Sequence, residues 1–427
     1  MRLSLYCLTT LVIAFSHPAI SAEFSDLYVF GDSLSDMGNL SAATFGLQPG
    51  DDYFRGRFSN GPVYAEVLAD SLGIEDFRRS GDGGNNYAYG GGRTSGTSFF
   101  EGGFFIQDLD DQVDRFLDER TVDPEALYVV FAGSNDFVLG EQLNPQIPAS
   151  RVVQEMGRLI AAGAVHLMAI EVPPLGATPR FVSESDRYNQ LADEFNITLA
   201  NGLDGFSEDV TVSLVGLNEL LRQVVAVPSA FGFRNVVDSG QGVSDPSGYL
   251  FWDDIHPTRE AHELLAEAAL SLLRDDAVVG DFNLDGEYDS GDADLLAFGI
   301  ANEWNSSQLD LDGDGALAPT DFEVLLGNAG RLNGDLNFDG AVAFDDFLRL
   351  AQNYGVASDP VLWSAGDLDF DGQVGFLDFL ALARNYGATA TIASVPEPGA
   401  MRYVLCATLL LFFHRHQSLS CQRTASR

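Results

Sequence analysis

Residues Leu27 to Asn39 read LYVFGDSLSDMGN: an apolar run stops at Gly31, and Asp32, Ser33, Asp36 and Asn39 follow within one short stretch. Gly, Asp, Ser and Asn are turn formers, so a strand end explains the composition by itself. The stretch also has the form of a strand-to-helix junction, where an α/β enzyme presents a nucleophilic serine. Which reading holds depends on what the rest of the chain supplies.

Moving outward, further apolar β-rich segments follow, ALYVVFAG (126–133) and VHLMAIEV (165–172), separated by helical patterns such as SRVVQEMGRLIAAGA (150–164). Near-continuous apolar strands alternating with helices point to a parallel sheet covered on both faces. This pattern closes with HPTREAHELLAEAALSLLRD (256–275), a helix with acids early, an apolar stripe and Arg274 near its end. Residues 23–275 therefore read as one domain.

Composition narrows the class. The 427 residues carry a formal net charge of −40, and all 23 basic residues are arginine. That balance argues against nucleic acid or anionic lipid as a partner reached by charge alone. The three cysteines, Cys7, Cys406 and Cys421, lie near the ends, so the body has no internal disulfide and no thiol nucleophile. Residues 1–22 read as a secretory signal: Arg2, an apolar stretch from Leu3 to Phe15, and AISA as a cleavage site. The expected location is secreted or at the cell surface.

A nucleophile at Ser33 needs a base. Of the six histidines, His17 sits in the signal and His414 and His416 in the tail. His166 lies inside an apolar strand and reads as a core residue; His262 lies inside the last helix and reads as a solvated one. His256 differs: in YLFWDDIHPT (249–258) it precedes that helix, with Asp253 three residues before it and Pro257 fixing the turn. Such a carboxylate can fold back onto one imidazole nitrogen, hold the tautomer and steady the imidazolium. Asp254 is the alternative, at a less natural separation. Donors for an oxyanion have two sources. The glycines of NNYAYGGGRT let backbone approach a substrate, making the Gly91 N–H a candidate, and Asn135 of VVFAGSNDF follows an apolar strand with its amide available.

These blocks, in this order, resemble the GDSL-type or SGNH hydrolases. GDSLSDMGN is similar to their first block, NYAYGG to the second, AGSND to the third and DDIHPT to the fifth. YFRGRFSNGPVYAEVLA and AIEVPPLGATP are similar to the branch holding plant esterases, secreted phospholipases and esterase autotransporters. The resemblance implies an α/β three-layer sandwich with a central parallel sheet, SGNH or flavodoxin-like. It also implies a metal-free serine esterase or lipase acting through an acyl-enzyme. Ser33 is then the nucleophile and a backbone donor, Gly91 and Asn135 are the other oxyanion donors, and Asp253 and His256 complete the catalytic set. Substrate stays open among acetyl esters on polysaccharides, phospholipids and plain lipids. Phe99, Phe100, Phe104 and Phe105 of SGTSFFEGGFFIQ either line an acyl pocket or pack on the sheet.

Beyond residue 276 the character changes to Asp/Gly-rich stretches whose positions one, three, five, six and twelve match calcium loops. They are Asp281, Asn283, Asp285, Gly286 and Asp292, with Asp289 at position nine; Asp310, Asp312, Asp314, Gly315 and Asp321; Asp335, Asn337, Asp339, Gly340 and Asp346; Asp367, Asp369, Asp371, Gly372 and Asp378. Each is followed by an apolar helical segment, as in DFLRLAQNYG and DFLALARNYG. Asp at position twelve and the pairing of loops resemble dockerins, implying small α-helical EF-hand-like modules at 280–330 and 334–388 that hold Ca²⁺. The Ser/Thr pair common in dockerins is replaced at positions ten and eleven, so a cohesin partner and a calcium-stiffened spacer both stay open. Residues 389–427 hold a linker and a tail, VPEPGAMRYVLCATLLLFFHRH, similar to a PEP-CTERM sorting signal read by a processing enzyme. The rival to an esterase is an inert envelope or matrix protein that acts through its calcium region.

Overall fold

The computed structural model describes residues 24–390 except 97, 101–102, 140–141, 275–277, 305, 307 and 356–359. The signal at 1–22 and nearly all of the segment 389–427 therefore lie outside the described residues. The chain divides into two compact units, Met1–Leu295 and Leu296–Arg427. No described helix is long and apolar enough to cross a membrane.

The strands of the first unit are β1 (Leu27–Gly31), β2 (Ser98–Phe100), β3 (Phe104–Ile106), β4 (Leu127–Phe131), β5 (His166–Ile170), β6 (Thr211–Val215), β7 (Asn235–Ser239) and β8 (Tyr249–Phe251). Its helices are α1 (Asn39–Ala43), α2 (Tyr64–Ser71), α3 (Leu109–Glu119), α4 (Ser134–Val138), α5 (Gln146–Ala162), α6 (Ser185–Leu203), α7 (Leu217–Ala226) and α8 (Arg259–Ser271), and α9 (Ser290–Ala301) spans the division between units. A four-stranded sheet runs in the order β1–β4–β5–β6. All its pairings are parallel, with Leu27 opposite Leu127, Leu127 opposite His166, and His166 opposite Thr211.

Side chains alternate across this sheet, and the two faces bury separate cores. Tyr28, Phe30, Tyr128, Val130, Leu167 and Ala169 face α3, α5 and α6 through residues such as Phe116, Met156 and Phe195. Leu27, Val29, Leu127, Val129, Met168 and Ile170 face α2, α7 and α8 through residues such as Leu68, Leu220 and Leu265. The continuous apolar strands of the sequence are the consequence of burial on both sides. The expected three-layer α/β architecture is what the fold displays.

One edge of the sheet places the site. The segment at Asn86 bridges Val29 in parallel, Tyr87 N–H donates to Val29 O (2.7 Å), and Tyr89 N–H donates to Gly31 O (3.1 Å). The chain thus leaves β1 for one side, then returns to β4 on the other. A crevice opens at the carboxyl ends of strands where the order reverses in this way. The exit from β1 is tight: a Cβ on Gly31 would lie 2.2 Å from Phe131 O, so only glycine fits. Gln112 of α3 clamps the same peptide, accepting from Gly31 N–H and donating to Gly31 O, both at 2.8 Å.

Two histidine expectations need correction. His166 sits at the start of β5 with its ring edge-on to Phe24 at 5.5 Å, but it is half-buried rather than the core residue expected. His262, expected to be solvated, is instead fully buried on α8, and its Nδ1 accepts the Tyr64 N–H at 3.3 Å. The stripe of α8 that meets α2 includes it, which the apolar periodicity did not reveal.

The first unit extends to Leu295, past the boundary at 275 read from sequence, and includes the first Asp-rich loop. Asn283 donates to Ala230 O (2.9 Å), and Leu284 packs on the core beneath α2, α7 and α8. The second unit holds the rest of α9 with α10 (Pro319–Ala329), α11 (Phe344–Asn353) and α12 (Phe376–Asn385). Buried Trp363 is its centre: Phe322 of α10 lies 5.4 Å from its ring and Phe338 of the third loop 5.9 Å. Phe370 of the fourth loop lies 5.0 Å from Phe322, so the second, third and fourth loops share one core.

Candidate active site

Ser33 follows β1 by two residues, Gly91 follows the segment paired with β1, and Asn135 lies in the first turn after β4. Sheet topology alone brings these three to one crevice. His256 arrives from the other direction, on the turn between β8 and α8. Trp252 N–H donates to His256 O (2.7 Å), and Thr258 N–H to Leu250 O (2.9 Å), which holds that turn closed. Ser33, Gly91, Asn135 and His256 all line a cavity of ≈ 370 Å³.

A continuous hydrogen-bond chain runs through the site. His256 Nε2 lies 2.9 Å from Ser33 Oγ, and His256 Nδ1 lies 2.6 Å from Asp253 Oδ2. Burial pushes the Asp253 carboxyl up. The hydrogen bond and charge of His256, with the N–H groups of Ile255 and His256, overcome that and hold it below the usual carboxylate range. An ionised Asp253 fixes the proton on Nδ1, leaving Nε2 to accept from the serine hydroxyl. Asp254, the alternative partner, is turned away: both its oxygens are taken by Arg180, at 2.7 and 2.9 Å. Phe58 lies against the imidazole with ring centres 4.9 Å apart.

The two candidate donors line the same cavity as Ser33. Gly91 adopts φ +79°, a left-handed conformation that suits glycine. Asn135 is nearly buried and spends one amide hydrogen on Gly92 O (3.0 Å), which ties it to the glycine loop and leaves its second hydrogen for another acceptor. Of the aromatics in the β2–β3 ribbon, Phe99 lines the cavity mouth; it and Phe105 are both exposed and meet edge-on.

Several residues that sequence reasoning left unassigned organise this site. Tyr53 Oη donates to Asp253 Oδ2 at 2.7 Å, so the carboxylate has a second side-chain donor. Asp36, fully buried, accepts four backbone N–H groups, from Gly38 (2.7 Å), Asn39 (2.6 Å), Leu40 (3.0 Å) and Gly90 (2.9 Å). It joins the serine loop to the residue before Gly91. Asp136 grips the far end of the same loop through the Thr94 N–H (2.9 Å) and hydroxyl (2.8 Å). Asp36 stood in the opening stretch as one more turn former, and only its partners distinguish it. Asp32 is also buried; burial pushes its carboxyl up to about 7, and only Oδ1 finds a donor, the Leu34 N–H at 3.0 Å.

The Asp-rich loops share one backbone form. Position four is left-handed in each (Leu284, Gly313, Phe338, Phe370), and so is the glycine at position six. That glycine donates to the position-one carboxylate in every loop, at 2.8–3.0 Å. The buried position-twelve aspartates accept N–H groups from both ends of their loops, as with Phe282 and Asp289 onto Asp292. Where position three is Asp, carboxylates cluster: one oxygen each from Asp310, Asp312 and Asp314, and from Asp367, Asp369 and Asp371, lie within 4.8 Å of one another. Where it is Asn, the amide donates to position five instead, Asn283 to Asp285 and Asn337 to Asp339. Asp367 Oδ1 is buried without a hydrogen-bond donor, and burial, with the neighbouring carboxylates, pushes Asp367 up to about 7. Convergent hard oxygens, one left unsatisfied, fit a calcium ion.

Residues 27–269 match the family model of the GDSL-like lipase/acylhydrolases. The chain is 24% identical to a phosphatidylcholine-sterol acyltransferase of Aeromonas hydrophila, covering 62% of this chain and 93% of that protein. It is 27% identical to a GDSL esterase/lipase of Arabidopsis thaliana, over 56% of this chain and 84% of the other. Esterase EstA of Pseudomonas aeruginosa is 31% identical, with 60% of this chain and 48% of that protein covered. A solved structure of a lipolytic G-D-S-L family member from Veillonella parvula aligns with TM-score 0.36 and 15% identity, over 58% of this chain and 96% of its own. With its parallel sheet and serine-centred crevice, this chain belongs to the GDSL-like lipase/acylhydrolase family and is an ester-hydrolysing serine hydrolase.

Proposed function

We propose that Ser33 attacks the carbonyl carbon of a lipid-like carboxylic ester, one with an apolar acyl chain. The reading is carried by the hydrogen-bond chain from Ser33 Oγ through His256 to Asp253. As the Ser33 Oγ–carbon bond forms, the hydroxyl proton passes to His256 Nε2, and Asp253 stabilises the imidazolium. Negative charge moves onto the carbonyl oxygen, where the Ser33 and Gly91 N–H groups and the Asn135 amide receive it. Collapse breaks the carbon–alcohol bond as His256 returns its proton to the leaving oxygen. Water then attacks the acyl-Ser33 ester, His256 takes one of its protons and passes it to Ser33 Oγ, and the free acid departs.

An apolar acyl chain is favoured by the cavity walls, which include Leu40, Phe58, Phe99, Ile106, Val138 and Leu139. Among the described lining residues the one arginine, Arg180, is already paired with Asp254. The acyltransferase relative, named for a phospholipid and a sterol, is consistent with that class. The Asp-rich loops are proposed to hold Ca²⁺ through positions one, three, five and twelve; the ion would neutralise carboxylates that otherwise repel. The signal-like segment 1–22 supports export.

The decisive test is Ser33→Ala and His256→Ala on a soluble nitrophenyl ester. Residues acting as one unit should each lose a factor on the order of 10⁶ in turnover. A well-folded Ser33→Ala protein keeping a tenth of the wild-type rate would overturn the assignment.

A further inference from the structure

Apolar space in the first unit does not end at the catalytic cavity. A second cavity of ≈ 50 Å³ is walled by Leu217, Leu221 and Val225 of α7, Leu250 and Phe251 of β8, and Leu265 and His262 of α8, the buried His262 Nε2 having no hydrogen-bond partner. Leu34, Pro173, Thr178 and Ile255 line both cavities. Leu34 directly follows Ser33 and Ile255 directly precedes His256, so the shared wall adjoins the reacting atoms in sequence and in space. Its polar capacity is spent: the Thr178 hydroxyl donates to Leu175 O (2.7 Å), and proline has no N–H. Leu34 and Ile255 are half-buried and pack on opposite cores, Leu34 beneath α2, α7 and α8, Ile255 beneath α3, α5 and α6.

We propose that this second cavity is an alkyl-chain subsite, entered from the catalytic cavity when the side chains of Leu34 and Ile255 swing aside. Apart from His262 Nε2 the wall is apolar, so an alkyl guest is accepted in place of any water held on that nitrogen, and the small volume limits the guest to a short segment of chain. Each methylene moved there from water raises kcat/KM roughly fourfold. The gain begins only at the chain length that crosses the partition. The subsite therefore makes the enzyme prefer medium over very short chains, and the preference ends once the cavity is full. This inference rests on Ser33 being the nucleophile, and the chain belongs either to the acyl group or to the alcohol.

The test is chain-length selectivity, the ratio of kcat/KM for long and short substrates, measured in two arms. One varies the acyl chain of nitrophenyl esters from acetate to dodecanoate; the other varies the alcohol of acetate esters. Leu221→Trp and the smaller Val225→Phe fill the cavity from α7, whereas Ile255→Ala opens the partition. Filling should cut the long-to-short ratio at least tenfold in one arm, and opening should raise it in that arm, which identifies the chain. Ratios within twofold of wild type in both arms, for every folded variant and with hydrolysis still dependent on Ser33, would overturn the subsite. Hydrolysis that survives Ser33→Ala would overturn the nucleophile assignment, and this inference with it.

Discussion

Asp36→Asn removes almost no volume yet should cost both stability and turnover. The native carboxylate takes Gly38 and Asn39 N–H on Oδ1, and Leu40 and Gly90 N–H on Oδ2. Burial pushes this carboxyl up, and the four donors offset only part of that. An amide keeps one oxygen, so whichever way it turns, two buried N–H groups face an NH₂ instead of an acceptor. Lost hydrogen bonds to a charged group are worth about 1.5–3 kcal/mol each, giving a destabilisation of roughly 3–6 kcal/mol for two. That approaches the whole margin of a weakly stable domain. The functional cost follows from which pair is lost. Releasing Gly90 frees the residue beside Gly91, and a misplacement of about 1 Å near the reacting carbonyl costs roughly 10²-fold. Melting curves measure the first effect; kcat and KM on a short soluble ester, well below the melting temperature, measure the second. The reasoning predicts a fall in kcat with little change in KM. Folded Asp36→Asn protein with kcat within twofold of wild type would show that the tether does not set the position of Gly91.

Asn135→Ala should lower kcat by roughly 10²–10³ and leave KM nearly unchanged, because its amide matters most as charge develops on oxygen; raised KM at constant kcat would make it a substrate-positioning residue. Chelation should make the Asp-rich region protease-sensitive, and added calcium should raise its melting temperature by mass action, while turnover on a soluble ester stays the same. Identical digestion patterns with and without chelator would exclude calcium as the stabiliser. His262 should be acid-sensitive: burial pushes its imidazole down to about 3. The folded state thus binds fewer protons than the unfolded one, and this contribution is present above about pH 6.5 and lost as pH falls toward 3. Between pH 7 and 5 the loss is about 2 kcal/mol, read as the change in the stability difference between wild type and His262→Phe. Asp32, raised in the fold, has the opposite slope, and the subtraction removes it. A pH-independent difference would mean that His262 stays neutral for another reason.

The sheet was legible because each of its first strands is buried on both faces and has to be apolar throughout. LYVF, LYVVF and HLMAI could be placed to within a residue or two for that reason. That Ser33, Gly91, Asn135, Asp253 and His256 converge was legible because each sits at an element boundary, where a reactive side chain stands out against turn chemistry. Tyr53 and Asp136 were not, since their roles consist of bonds to residues distant in the chain: Tyr53 reaches Asp253 across 200 positions. His262 was misjudged because helical periodicity gives an angle around α8 but not what covers it, and the cover is α2. The division of the acidic region was hidden for a related reason. Loop spacing shows pairs, whereas packing depends on Trp363, whose partners come from two different pairs.

The same residue type takes different charge states in one crevice, and burial alone does not decide which. Asp253 is held low because a cation-capable imidazole and two backbone N–H groups surround it. Asp32, directly before the nucleophile, has one backbone donor and the repulsion of Asp36 and Asp136, so burial prevails and it rises to about 7. The difference matters for acyl transfer, in which negative charge appears on the substrate oxygen and positive charge on His256. A fixed anion behind the imidazole stabilises the positive end. A second anion beside Ser33 would oppose the oxyanion while holding the imidazolium more tightly. Asp32, the buried carboxyl directly before the nucleophile, has a single donor and is raised to about 7, so part of its charge is lost near neutral pH.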